Sequence, residues 1–349
     1  MKIKNIFNRK FIELTGCIHN HSQYSYDSKA SLKNIIDSAK RNGLDFITIN
    51  DHLTLKAKKD EFLLAEKDIQ IIVGFEINDA EKNNHYLVFN SDEILLKKPA
   101  REYVDHYAKE GAIGFVAHPF EKRVSSKFRK YPWTDKSNNN FDGIEIWNFL
   151  SEWIGKVHPK LNGLIMIVFP SFFVIKPFKE TLSYWDQLNN SGKKISAIGS
   201  IDAHEEEYKI LGLKFKFLTH NALFKTIRTN ILLPEKTEIN DQNILQALKK
   251  GNSYMVNYKR GTPYNFYAGI SNSKEESAIF GEEIKFQENL KFYYNLPSMA
   301  RTKLIKNGKK IKSRFDNKGA FEIKEKGNYR LEITRFGRGW IYTNNIYVV

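Results

Sequence analysis

The sequence predicts an α/β protein built on a (β/α) barrel and followed by a small antiparallel β domain. Three observations support this prediction. Short apolar, β-branched segments alternate with helical segments over roughly the first 235 residues. Histidine and carboxylate residues follow many of these apolar segments, and afterwards alternating strand patterns separated by turn residues take over.

The first part contains one well-marked helix and seven strand-like segments. Ser31 is a helix-capping residue type, LKNIIDSAKR has helical spacing, and Gly43 follows the expected helix end. At least five of the seven apolar segments carry a metal-ligand residue type at the carboxyl end, where (β/α) barrels build their active sites. The segments are FIELTGCI, DFITIN, IIVGFEI, HYLVF, AIGFVA, GIEIW and ISAIGSI.

The pattern changes after about residue 235. DQNILQALKKG predicts one more helix, and the segments beyond it alternate apolar and polar residues. Asn-Gly at 307–308 and Lys-Gly at 318–319 and 326–327 are hairpin-type signals. We therefore predict a barrel domain over residues 1–235 and a β-sandwich-like domain over residues 236–349.

Composition narrows the class of protein. With 349 residues, 41% of them hydrophobic, the chain can bury a large core. The single cysteine, Cys17, excludes an intramolecular disulfide framework and a Cys-rich zinc site. No apolar signal-peptide segment follows the basic N-terminal residues, so we expect a reduced, cytoplasmic location. The net charge of +15, carried by scattered lysines, favours a small anionic substrate over nucleic acid as the partner. The sequence leaves the oligomeric state open.

One apolar segment stands apart from the strand pattern. Leu161 to Ile175 carries no charge and lies between Lys160 and Lys176. It is shorter than the ~20 residues that a membrane-spanning helix needs, and Pro170 interrupts it. We expect a buried helix or packed loop here. A hydrophobic lid or a contact with a membrane surface is the less favoured alternative.

The polar residues at the strand ends form a scattered set of metal-ligand types. Imidazole and carboxylate without thiolate suit Zn, Mn or Fe ions. Eight or nine such groups exceed what one ion binds, so two or three divalent ions that share bridging carboxylates are expected. Any one pair is a weak signal, but the ordered series is strong: His19, His21, Asp51, His52, Glu76, His85, His118, Asp202 and His204.

The same motifs resemble those of the PHP (polymerase and histidinol phosphatase) superfamily. The segments that carry the resemblance are HNHSQYSYD, TINDH, GFEI, HYLVF, AHP and SIDAH, over roughly residues 13 to 230. The later half, including WIYTNNIYVV, resembles the CehA/McbA-like branch, in which the barrel carries a C-terminal β domain. The resemblance implies a distorted, seven-stranded (β/α) barrel with a di- or trinuclear metal centre.

The resemblance also implies a ligand set and a chemistry. Phosphoester hydrolysis by a metal-bridging hydroxide is the default activity, with Asp202 or His204 orienting the nucleophile or moving its proton and Asp51 holding an imidazole. Tyr26 is inserted before Asp27 relative to the common first motif, which makes Asp27 the least typical ligand. The implied ligands are His19, His21, Asp27, His52, Glu76, His85, His118, Asp202 and His204.

Substrate contacts and the cleaved bond are less determined. Glu145 is a candidate for the pocket, and Lys122 and Arg123 follow His118 closely enough to meet an anionic substrate. The same ions would also serve an amide, carbamate or ester hydrolase, or a nuclease-type phosphodiesterase. A catalytically inactive barrel is disfavoured, since no member of the core ligand set is missing.

Overall fold

The structure is a computed structural model that describes residues 2–210, 213–272 and 276–349. Its strands fall into a barrel series, a short hairpin and a C-terminal series. They are β1 Lys2–Ile6, β2 Arg9–Asn20, β3 Phe46–His52, β4 Gln70–Ile77, β5 Tyr86–Phe89, β6 Ile113–Val116, β7 Gly143–Asn148, β8 Ser196–Ala203, β9 Glu206–Ile210, β10 Leu213–Phe217, β11 Ile227–Pro234, β12 Ser253–Asn257, β13 Tyr267–Ser271, β14 Ser277–Ala278, β15 Glu283–Ile284, β16 Lys291–Lys306, β17 Lys309–Glu322, β18 Gly327–Arg335, β19 Arg338–Thr343 and β20 Ile346–Val348.

Most of the helices connect the strands of the barrel. The predicted first helix is present, and Ser31 Oγ accepts a hydrogen bond from Asn34 N at its start. Gly251 ends the last helix in a left-handed conformation, as the sequence predicts. The helices are α1 Leu32–Arg41, α2 Glu61–Ala65, α3 Ala100–Glu110, α4 Phe149–Ile154, α5 Gly163–Val168, α6 Pro170–Phe173, α7 Lys179–Asn190, α8 His220–Leu223 and α9 Asp241–Lys250.

Strands β2 to β8 close into a seven-stranded barrel, which confirms the predicted fold class. Each strand pairs with the next along the chain, and β8 pairs back with β2. All pairings are parallel except those of β5, which runs antiparallel to both β4 and β6. The beginning of β5 therefore lies at the same barrel end as the carboxyl ends of the other six strands.

Two apolar cores support the barrel. Its interior is filled by residues from six of the seven strands and closed by Ile244, Leu245 and Leu248 of α9. A second core packs the outer barrel face against α1, α3 and α7. Because α9 closes one end, the polar residues at the other end remain available for a site. The six strands contribute, among others, Ile18, Phe46, Ile72, Leu87, Phe115 and Ile198.

The C-terminal strands form a mostly antiparallel β unit with its own core. The predicted turn at Asn307-Gly308 connects β16 to β17, where Lys306 is paired with Lys309. The Lys-Gly signal at 318–319 is not a turn, because both residues pair with β16 inside β17. Ile6 and Phe11 from the N-terminal strands also contribute to this core. The division at residues 235 and 236 stays a prediction.

The C-terminal unit is attached to the barrel by polar contacts. The side chain of Asn344 bonds to both the backbone N–H and the carbonyl of Ala197 in β8. Arg330 of β18 is buried between Glu332 and Asp186 of α7, and its guanidinium stacks on Trp185. The Asn344 bonds tie the β unit to β8, the strand that carries Asp202, and the Arg330 contacts tie it to α7.

The prediction that Leu161 to Ile175 is a buried helix or packed loop is wrong. The segment forms α5 and α6 on the surface, and most of its large apolar side chains are exposed, Leu161 by 79%. The apolar character of the segment does not bury it because only residues such as Met166 and Val174 find neighbours to pack against. Among the described residues, no helix is both long enough and apolar enough to cross a membrane.

Candidate metal centre

The barrel end opposite α9 gathers nine histidine and carboxylate side chains predicted as metal ligands. Those of β2, β3, β4, β6 and β8 arrive at or just beyond the carboxyl ends of their strands. His85 precedes β5 and joins them because that strand runs in the opposite direction. Asp27 reaches the group from the loop after β2. The nine are His19, His21, Asp27, His52, Glu76, His85, His118, Asp202 and His204.

Glu76 lies at the centre of the group, and its two oxygens face different histidines. Oε2 is 3.0 Å from His19 Nε2 and 3.3 Å from His21 Nε2. Oε1 is 2.7 Å from His85 Nδ1 and 3.4 Å from His118 Nε2. A carboxylate placed in this way can bridge two ions, one on each oxygen.

Asp202 completes the cluster that His19, His21 and Glu76 Oε2 form. Its Oδ1 is 3.4 Å from His19 Nε2 and 3.5 Å from His21 Nε2. Its Oδ2 accepts a hydrogen bond from the Asn148 amide at 3.2 Å, which holds the carboxylate in this orientation. Two imidazole nitrogens and two carboxylate oxygens thus converge on one position.

A further cluster lies toward the open side of the barrel end. Asp27 Oδ2 is 3.1 Å from His52 Nε2 and 3.3 Å from His204 Nε2, and the rings of His21 and His204 stack at 4.0 Å. Asp27 therefore joins the group in spite of the Tyr26 insertion before it. Its side chain is 31% exposed and that of His204 17%, whereas Glu76 is 1% exposed.

The backbone is bent at the points where the ligands leave their strands. His19, His118 and Asp202 have positive φ angles of 67°, 26° and 53°. This conformation is costly for residues other than glycine and tends to occur at functional sites. At His19 it breaks the strand alternation, so that Cys17 packs in the helix-facing core and donates to the Ile227 carbonyl instead of facing the site.

Electrostatics couple the group tightly. Burial by itself lowers the pKa of His19, but Asp202, Glu76 and Glu145 raise it well above its ordinary value. Burial likewise opposes the charged form of Glu76, yet the surrounding imidazoles hold its pKa well below the usual range. Nearby carboxylates overcome burial and raise the pKa of His118 and of His204 to about 9. When no metal ion is bound, protonated imidazoles therefore balance the negative charge of the carboxylates.

The donor set fits divalent ions. His21 Nε2 and His52 Nδ1 are buried and make no hydrogen bond, although each lies 3.3 to 3.4 Å from Glu76 Oε2. An imidazole nitrogen with its lone pair directed at a carboxylate oxygen is stabilised when a cation lies between them. Imidazole and carboxylate oxygen suit Zn, Mn or Fe. Three overlapping groups of these side chains are close enough together to hold ions, while the number and identity of the ions stay predictions.

Comparison with known families agrees with this geometry. Residues 18–132 match the PHP domain. The matched segment includes seven of the nine predicted ligands, from His19 to His118, while Asp202 and His204 lie beyond it and join through the tertiary structure. The CehA/McbA-like branch and its C-terminal domain stay predictions.

Individual proteins and structures extend the comparison. The uncharacterized protein MJ1587 of Methanocaldococcus jannaschii is 25% identical over 142 residues, covering 38% of this chain and 80% of that protein. A two-domain protein from Bacteroides vulgatus that contains a predicted PHP-like metal-dependent phosphoesterase has a TM-score of 0.48 at 15% identity, covering 96% of this chain and 95% of that one. Endonuclease Q, in complex with a duplex that carries an abasic lesion, has a TM-score of 0.41 at 15% identity, covering 76% and 65%.

Glu145 and Asp51 both make hydrogen bonds within or beside the candidate metal centre. Glu145, a candidate for the substrate pocket, lines a small crevice next to His118 but is buried, and its oxygens accept from His19 Nδ1 at 2.8 Å and from the backbone N–H of His118 at 2.9 Å; its contact with substrate stays a prediction. Glu145 therefore orients His19 and leaves the Nε2 lone pair directed at the cluster. Asp51 does not hold an imidazole: its oxygens accept from the N–H and the hydroxyl of Ser22, at 2.5 and 2.7 Å.

Lys122 and Arg123 are paired with carboxylates outside the candidate metal centre. Lys122 pairs with Glu180 at 2.8 Å on the surface. Arg123 is buried against Glu121 at 2.8 Å and donates to backbone carbonyls. Each cation is neutralised by a nearby carboxylate. Their proposed contact with an anionic substrate would require both salt bridges to open.

Sequence reasoning missed the residues that support the ligands. Asn148 donates to both Glu145 and Asp202. Ser22 donates to Asp51, and this bond anchors the loop on which Asp27 lies. The only available signal was position: Asn148 ends β7, next to the strand-end carboxylate Glu145. Ser22 lies within the HNHS segment, where its hydroxyl resembles that of any loop serine.

Proposed function

We propose that this protein is a metal-dependent hydrolase that cleaves a phosphoester of a small anionic molecule. The observation that carries the proposal is Glu76, a buried carboxylate with three imidazoles facing one oxygen and two others facing the second. Divalent ions bound there would lower the pKa of coordinated water and withdraw charge from a substrate oxygen. The PHP domain match supports the phosphoester class.

The chain's own residues supply orientation and proton transfer. Glu145 keeps the Nδ1 proton on His19 and so fixes the tautomer that directs Nε2 inward. Asn148 holds Asp202. His204 is the most exposed imidazole of the group, at 17%, and its Nε2 would either bind an ion beside Asp27 or, with no ion bound there, hold or deliver a proton at the substrate.

An amide, carbamate or ester hydrolase is the second candidate, and one observation favours it. Lys122 and Arg123 are both paired with carboxylates, so neither is free to attract an anionic substrate, and an uncharged substrate needs no such contact. The nuclease-type phosphodiesterase remains a third alternative, and the cytoplasmic location stays a prediction.

The test is hydrolysis by metal-loaded protein of p-nitrophenyl phosphate, bis(p-nitrophenyl) phosphate and a naphthyl carbamate. His19→Ala and Asp202→Ala remove cluster residues, and His106→Ala removes a histidine that lies outside the group, beside Glu93 and Glu110. Turnover of the phosphates, lost in the first two variants and kept in the third, supports the proposal. Turnover of the carbamate alone transfers the protein to the second candidate. Preference for the diester favours the phosphodiesterase.

A further inference from the structure

The exposed segment of residues 161–173, here called the apolar strap, forms an unusual surface for a protein in water. It contains no charged residue, and seven of its side chains are 45% to 79% exposed. Contiguous exposed apolar patches of this kind mark interaction sites. The seven are Leu161, Leu164, Ile165, Ile167, Val168, Phe169 and Phe172.

The fold holds the strap in this outward position. Trp153 donates to the Met166 carbonyl at 3.1 Å, and Lys156 donates to the Phe173 carbonyl at 2.6 Å. The Arg338 guanidinium stacks on Phe172 with its carbon 4.3 Å from the ring centroid. The exposure of the strap is therefore built into the structure through its buried backbone anchors.

A cationic cleft of about 600 Å³ lies beside the strap. Glu332 is the carboxylate among its lining residues, and it is already paired with Arg330 at 2.8 Å. Within the described part of the chain, no carboxylate lies within 4 Å of the amino groups of the three lining lysines. The lining cations are Lys176, Lys179, Arg301, Lys303 and Arg335.

Apolar side chains and a further lysine extend this surface. Met299, Phe315 and Phe336 line the same cleft and are 48%, 63% and 83% exposed. Strand β17, which pairs with β16 next to the cleft, is exposed along most of its length. Its Lys310 pairs with Ile305, on the face that carries Arg301 and Lys303, whereas Lys312 and Arg314 lie on the opposite face of the strand.

We propose that the apolar strap and the cationic cleft together form a docking surface for an anionic phospholipid bilayer. Aliphatic and Phe side chains without charges insert at the boundary of headgroups and acyl chains, and lysines and arginines around them attract anionic headgroups. The cleft is large enough and positive enough to receive a headgroup phosphate. Charge complementarity thus selects an anionic membrane surface as the occupant.

The position of the apolar strap relates docking to the candidate metal centre. Asn148, which bonds to Asp202, is both the last residue of β7 and the cap of α4, the helix that leads into the strap. The strap thus leaves the barrel at the end that carries the candidate metal centre. Docking would hold that end close to the membrane surface, whatever bond the site cleaves.

The test is cosedimentation with vesicles of phosphatidylcholine alone and of phosphatidylcholine with about one quarter phosphatidylglycerol. Two variants remove parts of the surface: Leu164→Ser with Phe169→Ser for the strap, and Arg301→Gln with Lys303→Gln for the cleft. The matched control is Leu64→Ser with Leu96→Ser, which removes leucines that are 61% and 59% exposed elsewhere. Thermal melting of each variant separates loss of docking from loss of fold.

We expect wild-type protein to partition at least about tenfold more strongly onto the anionic vesicles and to be released by salt. Each surface variant should lose about tenfold or more of this binding, while the control binds like the wild type. Equal binding to both vesicle types, or unchanged binding by the strap variant, overturns the proposal. A wild-type dimer that ignores vesicles and dissociates in the strap variant also overturns it, since the occupant is then a second copy of the chain.

Discussion

Replacing Glu145 with glutamine is the most informative test of how the metal centre is held. Glu145 Oε1 accepts from His19 Nδ1 at 2.8 Å, and Oε2 accepts from the His118 N–H and the Asn148 amide, both at 2.9 Å. The Asn148 amide cannot turn freely, because its oxygen accepts from the Ser151 N–H at 2.8 Å. Glutamine keeps the shape of the side chain but replaces one accepting oxygen with a donor.

Neither orientation of the glutamine satisfies these neighbours. If its oxygen faces His19, its amide NH₂ meets the donors of His118 and Asn148, and two hydrogen bonds are lost. If its NH₂ faces His19, the imidazole must carry its proton on Nε2, which then points at Glu76 and cannot bind a metal. Loss of such an orienting partner typically weakens metal binding or activity 10- to 100-fold, or about 1.4 to 2.7 kcal/mol.

The assay is calorimetric titration of metal-free protein with Zn²⁺ and with Mn²⁺, followed by hydrolysis measurements on the loaded protein. Glu13→Gln is the matched control, because Glu13 is also buried but pairs with Lys4 and Tyr254 far from the centre. We expect Glu145→Gln to lower metal affinity 10- to 100-fold and Glu13→Gln to leave it unchanged. An affinity within about twofold of wild type in a folded Glu145→Gln protein would refute the orienting role.

Three other perturbations have defined outcomes. Asp186→Asn should lower the free energy of unfolding by about 3 kcal/mol in denaturant titration, because it leaves the buried Arg330 with one fewer charged partner, and an effect below about 1 kcal/mol would contradict this. Gly74→Ala should cost about 1 to 3 kcal/mol in the same assay, because its β-carbon would lie 2.2 Å from a backbone oxygen of β5. Metal affinity should rise with pH up to about 9, because His118 and His204 have pKa values of about 9 and must lose their protons to bind a metal ion. Metal titrations at several pH values that show no such rise would contradict this prediction. The proton-linked stability of the metal-free protein has the opposite sign, because raised imidazole pKa values stabilise the fold at low pH and this contribution is lost as pH rises through about 9.

Local patterns in the sequence determined the helix ends, the strands of the barrel and the residues at the ends of those strands. Ser31 and Gly43 bound a helix through capping and backbone freedom, which depend only on neighbouring residues. The series from His19 to His204 was recognisable because parallel strands with apolar runs place their next residues at one end of a barrel.

Tertiary structure alone decided how these parts act together. The two-sided placement of Glu76 and the capture of His19 by Glu145 depend on strands distant in the chain. The same holds for Lys122, whose partner is Glu180. The apolar strap shows the limit most clearly, since its composition predicts burial but its neighbours cover only part of it. Periodicity reports the local backbone, whereas exposure and pairing depend on which surfaces the rest of the chain brings near.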